Sequence, residues 1–165
     1  SLGTKEAQAI VPNVAAKIKE YEKNGDEIIF TRDTHGEDYL DTPEGRKLPV
    51  KHCIRGTDGW QIADGLMVSG AVCIDKPTFG SQTLGALLLA RDEDLKKQGK
   101  PGVEKATFLG VCTDICVISN ALLVKAFLPE AEIVVEADCC AGVTPESHRT
   151  ALEAMKACQI TVEQE

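Results

Sequence analysis

The sequence predicts an α/β fold, a parallel doubly wound sheet in a three-layer α/β/α sandwich. Two observations carry the prediction. Short apolar runs alternate with helical stretches along the chain, as expected where crossover helices cover both faces of a parallel sheet. The chain also has 165 residues, 43% of them hydrophobic and 27% charged, which suits one domain with a sizeable core.

Each element has a local reason. Residues 1–25 contain an amphipathic helix, because Ile10, Val14 and Ile18 recur at helical spacing and Asn24-Gly25 supplies a stop. Residues 27–31, EIIFT, read as a short buried strand. From residue 32 to about 64 the chain is polar and rich in Gly, Pro, His and Asp, a long loop of the kind that carries function. Residues 68–74 are apolar and read as a strand, weakened by Gly70. Residues 81–97 fit a helix with Leu84, Leu87, Leu88 and Leu95 on or near one face. A strand over 105–109, a helix over 115–127 and a strand over 131–136 follow. Residues 145–157 form a helix with Pro145 in its first turn, and 159–162 a last short strand. No internal repeat or low-complexity segment interrupts this order.

The formal net charge of -8 argues against nucleic acid or an anionic membrane as partner, since both need basic patches. Apolar runs are far too short for a membrane span, and nothing resembles a signal peptide. Seven cysteines in such a chain read as reduced thiols rather than a disulfide framework, which points to the cytoplasm.

Ligands of parallel sheets bind beyond the carboxyl ends of the strands. That rule selects TRDTH, VCTDIC and ADCCAG. In LGVCTDICVISN, Cys112 and Cys116 stand four residues apart where a strand gives way to a helix. A thiolate at a helix N-terminus is favoured by the dipole and the unpaired N–H groups, which can also receive an oxyanion. Two small core thiols fit the spacing equally well. A zinc clasp fits less well, because no second ligand pair has matching spacing. Asp33 and His35 alternate, so at a strand end they point to one side. His52 lies in the same long loop, so two of only three histidines fall there. The third, His148 in PESHRTALEAM, is placed on an exposed helix face and given no chemistry, and Trp60 is read as packing.

GVCTDICV, DKPTFGS and the segment from TRDTH to GTDGW together resemble the isochorismatase-like cysteine hydrolases, and within them the nicotinamidases. The resemblance implies that Cys116 is the nucleophile and Lys76 the catalytic lysine. It implies a cis peptide bond between Val111 and Cys112, with the N–H groups of Cys112 and Cys116 receiving the oxyanion and Thr113-Asp114 bracing the turn. Phe79 would wall the substrate pocket. Asp33, His35 and His52 match a site for one divalent ion, and Glu44 lies where some bacterial relatives place a further carboxylate ligand. Zinc is expected first, with iron or manganese as alternatives, because mixed N and O donors suit all three. The implied activity is hydrolysis of nicotinamide to nicotinate and ammonia through a thioester. Another small amide, or an inactive subunit or binding module, are the alternatives. The resemblance also implies dimers or larger assemblies. Family members begin with an apolar strand ending in D-x-Q-x-D-F, whose first Asp is the general base, and the expectation is an N-terminally incomplete domain lacking that central strand. Asp75 and Asp138 lie near the right strand ends, but neither is an obvious substitute.

Overall fold

The computed structural model describes residues 3–164. The strand expected before Ser1 falls outside them. The described residues form two compact units, one of residue 3 with residues 15–78, the other of residues 4–14 with 79–164. Each contains its own parallel sheet.

Helices α1 (Lys5–Ala9) and α2 (Val11–Asn24) share the first predicted helix between them. Thr4 caps α1 by accepting from the Ala7 N–H, and Gly25 closes α2 at φ +80°, a conformation open to glycine. In the first unit, β1 (Ile29–Asp33) pairs in parallel with β2 (Val72–Lys76). Both strands start later than the apolar pattern suggests. Gly70, at φ +81°, holds a turn, so the strand begins only after it. The long connection carries the five-residue α3 (Pro43–Lys47) and two short 3₁₀ turns, Tyr39–Asp41 and Asp58–Trp60. Ile18, Tyr39, Ile54 and Ile74 are the buried apolar residues described in this unit.

The second unit follows α4 (Gln82–Lys97), capped by Ser81, with β3 (Lys105–Val111). Then come a wide π-type turn over Thr113–Val117 and α5 (Ile118–Phe127). Strand β4 (Glu132–Ala141), helix α6 (Pro145–Ala157) and β5 (Thr161–Glu163) complete it. The strand order is β3-β4-β5, all parallel, with α5 and α6 as the intervening crossovers. Such connections are what parallel pairing requires. Strand β4 is its spine: Ile133, Val134 and Val135 are fully or almost fully buried, as fits a parallel strand covered on both faces. It runs five residues past the predicted end, and Cys139 and Cys140 are buried on that extension. The β3–β4 register shifts between Phe108 and Gly110, where Gly110 takes φ +117°. That irregularity turns β3 into the segment carrying Cys112 and Cys116.

No disulfide joins the seven cysteines. Among the described residues, no helix is long and apolar enough to cross a membrane. Met155, on α6, is fully buried. Met155→Ala should cost about 2–5 kcal/mol of stability, through lost burial and the cavity left behind. Urea unfolding of the two proteins measures it.

Candidate functional site

The metal-ligand candidates assemble in the first unit by backbone pairing. Beyond Asp33 the β1 chain continues the ladder, with the Thr34 N–H donating to the Lys76 carbonyl at 2.9 Å. His35 then takes a new partner. Its N–H donates to the Cys53 carbonyl and its carbonyl accepts from the Arg55 N–H, both at 2.9 Å, a parallel bridge with Ile54. Cys53 adopts φ +47°, and the residue before it is His52. Thus a single strand delivers Asp33 and His35, and its second partner delivers His52. One ligand atom from each of Asp33, His35 and His52 lies within 4.8 Å of the others, a set that could hold a metal ion.

The donor chemistry fits such an ion. His52 Nδ1 lies 2.8 Å from the Val50 carbonyl, which can only accept, so in the neutral ring Nδ1 carries the proton and Nε2 offers the lone pair. That Nε2 is 3.7 Å from Asp33 Oδ2, and His35 Nε2 is 3.2 Å from the same oxygen. Glu44 Oε1 lies 3.6 Å from His35 Nε2 and 3.9 Å from His52 Nε2. It is placed by α3, whose Thr42 cap accepts from the Gly45 N–H at 3.0 Å. Glu44 therefore borders the three, although the close group consists of Asp33, His35 and His52. Tyr39 seals the inner side. It is fully buried, its hydroxyl donates to the Leu48 carbonyl at 3.0 Å, and its ring lies 4.6 Å from that of His35 and 4.9 Å from that of His52. Burial, with Glu44 and Asp33 nearby, pushes its phenol above the ordinary value.

Lys76 is 3% exposed, and its Nζ lies 3.4 Å from Asp33 Oδ1 and 3.2 Å from the Thr78 carbonyl. One carboxylate therefore serves the lysine with one oxygen and the histidines with the other. Asp75 is committed elsewhere. Burial alone would raise its carboxyl, but Arg32 and Arg55, each at 2.9 Å, hold it below the ordinary carboxylate value. The Arg32 guanidinium also stacks 3.4 Å from the centroid of Trp60, whose indole N–H donates to Thr34 Oγ1 at 2.8 Å. Trp60 is indeed packing, but packing that braces the residue between Asp33 and His35.

In the second unit the Val111–Cys112 peptide bond is cis. The Cys112 carbonyl accepts from the N–H groups of both Ile115 and Val117, closing the wide turn with Cys116 just ahead of α5. Both Cys112 and Cys116 are half-buried. Asn120, 3% exposed, holds this region from one turn into α5. Its Nδ2 donates to the Cys116 carbonyl at 2.8 Å and the Phe79 carbonyl at 3.0 Å, and its Oδ1 accepts from the Ser81 N–H at 2.8 Å. Phe79 is 43% exposed as a residue, and its backbone carbonyl is held by that bond. Asp114 accepts from the Val143 N–H at 3.1 Å.

His148 does not stand on an exposed face. It is half-buried, and its Nδ1 lies 2.7 Å from Oγ1 of the fully buried Thr113. Tyr39, beside the histidines, and Asn120 and His148, beside the Cys116 turn, are the neighbours of the candidate residues that sequence reasoning passed over. For Asn120 there was a signal, an amide inside the apolar helical stretch SNALLV. For Tyr39 and His148 there was none, because their partners lie on other elements.

Comparison with known proteins shows what the chain resembles. The Isochorismatase domain family model matches residues 1–164. The uncharacterized isochorismatase family protein PncA of Bacillus subtilis (strain 168) is 31% identical over 136 residues, covering 81% of this chain and 72% of its own. The crystal structure of the pyrazinamidase of Pyrococcus horikoshii in complex with zinc superposes with a TM-score of 0.76 at 26% identity, over 98% of this chain and 88% of that one. The pyrazinamidase/nicotinamidase of Streptococcus mutans UA159 gives 0.76 at 27% identity, over 96% and 87%.

Two outcomes follow from the geometry. His52→Ala should weaken zinc binding, measured by equilibrium dialysis, by more than the roughly 10–100-fold that loss of an outer partner costs. His148 carries the pH prediction. Burial lowers its pKa and Arg149 adds to that, against the opposing pull of Asp114 and Asp138. The unfolded chain then takes up this proton near the ordinary value of about 6.5 and the native state only at lower pH, so stability falls as pH drops through that interval. His148→Ala should flatten that part of a plot of urea midpoint against pH.

Proposed function

The chain belongs to the isochorismatase family of hydrolases, and on that premise we propose that it is a metal-dependent cysteine amidohydrolase that converts nicotinamide to nicotinate and ammonia in the cytoplasm. The observation that carries the metal-dependent reading is the Asp33–His35–His52 group, with the His52 Nε2 lone pair left available by the Val50 carbonyl. Its likeness to a pyrazinamidase that binds zinc supports it.

The proposed roles follow the chemistry of amide cleavage. The Cys116 thiolate attacks the amide carbon, forming a C–S bond. The N–H groups of Cys112 and Cys116 receive the developing oxyanion. The C–N bond breaks, the nitrogen leaves as ammonia after taking up a proton, and water then cleaves the thioester to release the carboxylic acid and restore the thiol. Lys76 takes the part of the catalytic lysine, its buried ammonium held by Asp33 and the Thr78 carbonyl. Asp33, His35 and His52 would hold the ion, with Glu44 as the further carboxylate beside them. When bound, a divalent ion (zinc foremost) supplies a Lewis-acidic anchor for a ring nitrogen. Phe79 is assigned to the wall that receives the ring.

The test is ammonia release from nicotinamide by the zinc-loaded, full-length natural protein. Measurable turnover is expected, and Cys116→Ala should abolish it while leaving zinc content unchanged. Release of ammonia from an acyclic amide but not from nicotinamide would keep the reaction class and replace the substrate. Ordinary rates in Cys116→Ala would overturn the mechanism.

A further inference from the structure

The wide turn that carries Cys116 is tied to one segment, residues 142–148, at two consecutive positions. Thr113 is fully buried, and its hydroxyl meets His148 Nδ1 at 2.7 Å. Asp114 receives the Val143 N–H. The His148 anchor is itself rigid. His148 lies in the first turn of α6, where Thr144 and Ser147 form a reciprocal cap, and its own N–H donates to the Thr144 carbonyl at 2.9 Å. Gly142 passes so close behind that a Cβ there would lie 2.8 Å from the His148 backbone nitrogen and 2.9 Å from its Cα. The imidazole is therefore presented from a backbone with little freedom to shift, and it meets a hydroxyl that burial has likewise fixed.

We propose that His148 is a positioning residue for the Cys116 turn: through the Thr113 hydroxyl, its ring sets the orientation of residues 112–117 and hence where the Cys116 thiol and N–H stand. It acts through Thr113 and is assigned no contact with the reacting atoms. The inference rests on Cys116 being the nucleophile. A bond that only added stability would move the unfolding midpoint and leave catalysis by the folded protein intact. A positioning bond moves kcat more than KM.

The experiment compares the zinc-loaded full-length protein with His148→Ala, Thr113→Val, the double variant and His148→Asn. It measures thermal midpoint, kcat and KM for nicotinamide, and the rate of iodoacetamide alkylation at Cys116, resolved from the other cysteines by peptide mass spectrometry. His148→Ala and Thr113→Val should each lower kcat about tenfold with KM changed less than about twofold, the scale of one lost hydrogen bond at the reacting turn. The double variant should be no slower than either, because both remove the same bond. His148→Asn places a polar atom near the Nδ1 position and should recover most of kcat. Unchanged kcat in the folded single variants, or an Asn variant no better than Ala, overturns the proposal. If His148→Ala does not fold, Thr113→Val and His148→Asn decide in the same way. If the natural protein releases no ammonia from any amide, the functional reading fails by itself. The alkylation rates then decide His148, with a change in the Ala variant supporting it and equal rates overturning it.

Discussion

The parallel register of β1 against β2 sets Arg32 opposite Asp75 and Asp33 opposite Lys76. Side chains at paired positions share a face and neighbours alternate, so the two opposite-charge pairs fall on opposite faces of the same ribbon. On one face, Arg32 and Asp75 gather Arg55, Gln61 and Trp60. On the other, Asp33 joins the buried ammonium of Lys76 to the two histidines. A slip of one residue would exchange the faces and leave Lys76 buried against no carboxylate, a loss of several kcal/mol. Register in this short ribbon is thus enforced by charge as much as by apolar burial. The candidate ligands inherit their positions from it, because His35 is only two residues beyond the last paired position.

The second unit solves a different problem. A wide turn has no regular ladder to hold it, so its polar groups must be satisfied by side chains from elsewhere. Asn120 binds three backbone groups, Thr113 finds His148, and Asp114 finds the Val143 N–H. Among the described residues no buried side-chain nitrogen or oxygen lacks a partner. Each of these bonds is modest in net stabilisation, but removing one partner strands the other at a cost of about 1–3 kcal/mol. A network in which each member is needed by another favours one conformation of the turn over its neighbours.

Much of the fold could be read from the sequence because it follows from local periodicity. The α6 helix begins and ends where Pro145 and the apolar spacing place it, and α4 is capped by the serine that precedes its leucines. The alternation of strands and helices correctly implies parallel pairing. Strand ends were less legible, because β4 continues to Ala141 through residues whose burial depends on their neighbours and not on their own pattern. The long loop after β1 offered histidines but not their arrangement. Their meeting depends on the bridge between His35 and Ile54, a contact nineteen residues apart in sequence with no periodic trace. His148 shows the same limit more sharply. As a polar residue on an amphipathic helix it belongs on the exposed side, and only the buried hydroxyl of Thr113, thirty-five residues earlier, gives it a reason to turn inward.

Trp60 is the only tryptophan in the chain, and its indole is hydrogen-bonded to the residue between Asp33 and His35 while a guanidinium lies across its face. The molecule therefore carries an intrinsic optical reporter at the candidate metal loop. Excited at the red edge, where the two tyrosines do not absorb, its emission comes from this one indole, next to the strand that supplies two of the candidate ligands. An ion or small molecule that changed the surroundings of that indole would change its emission, with no dye attached.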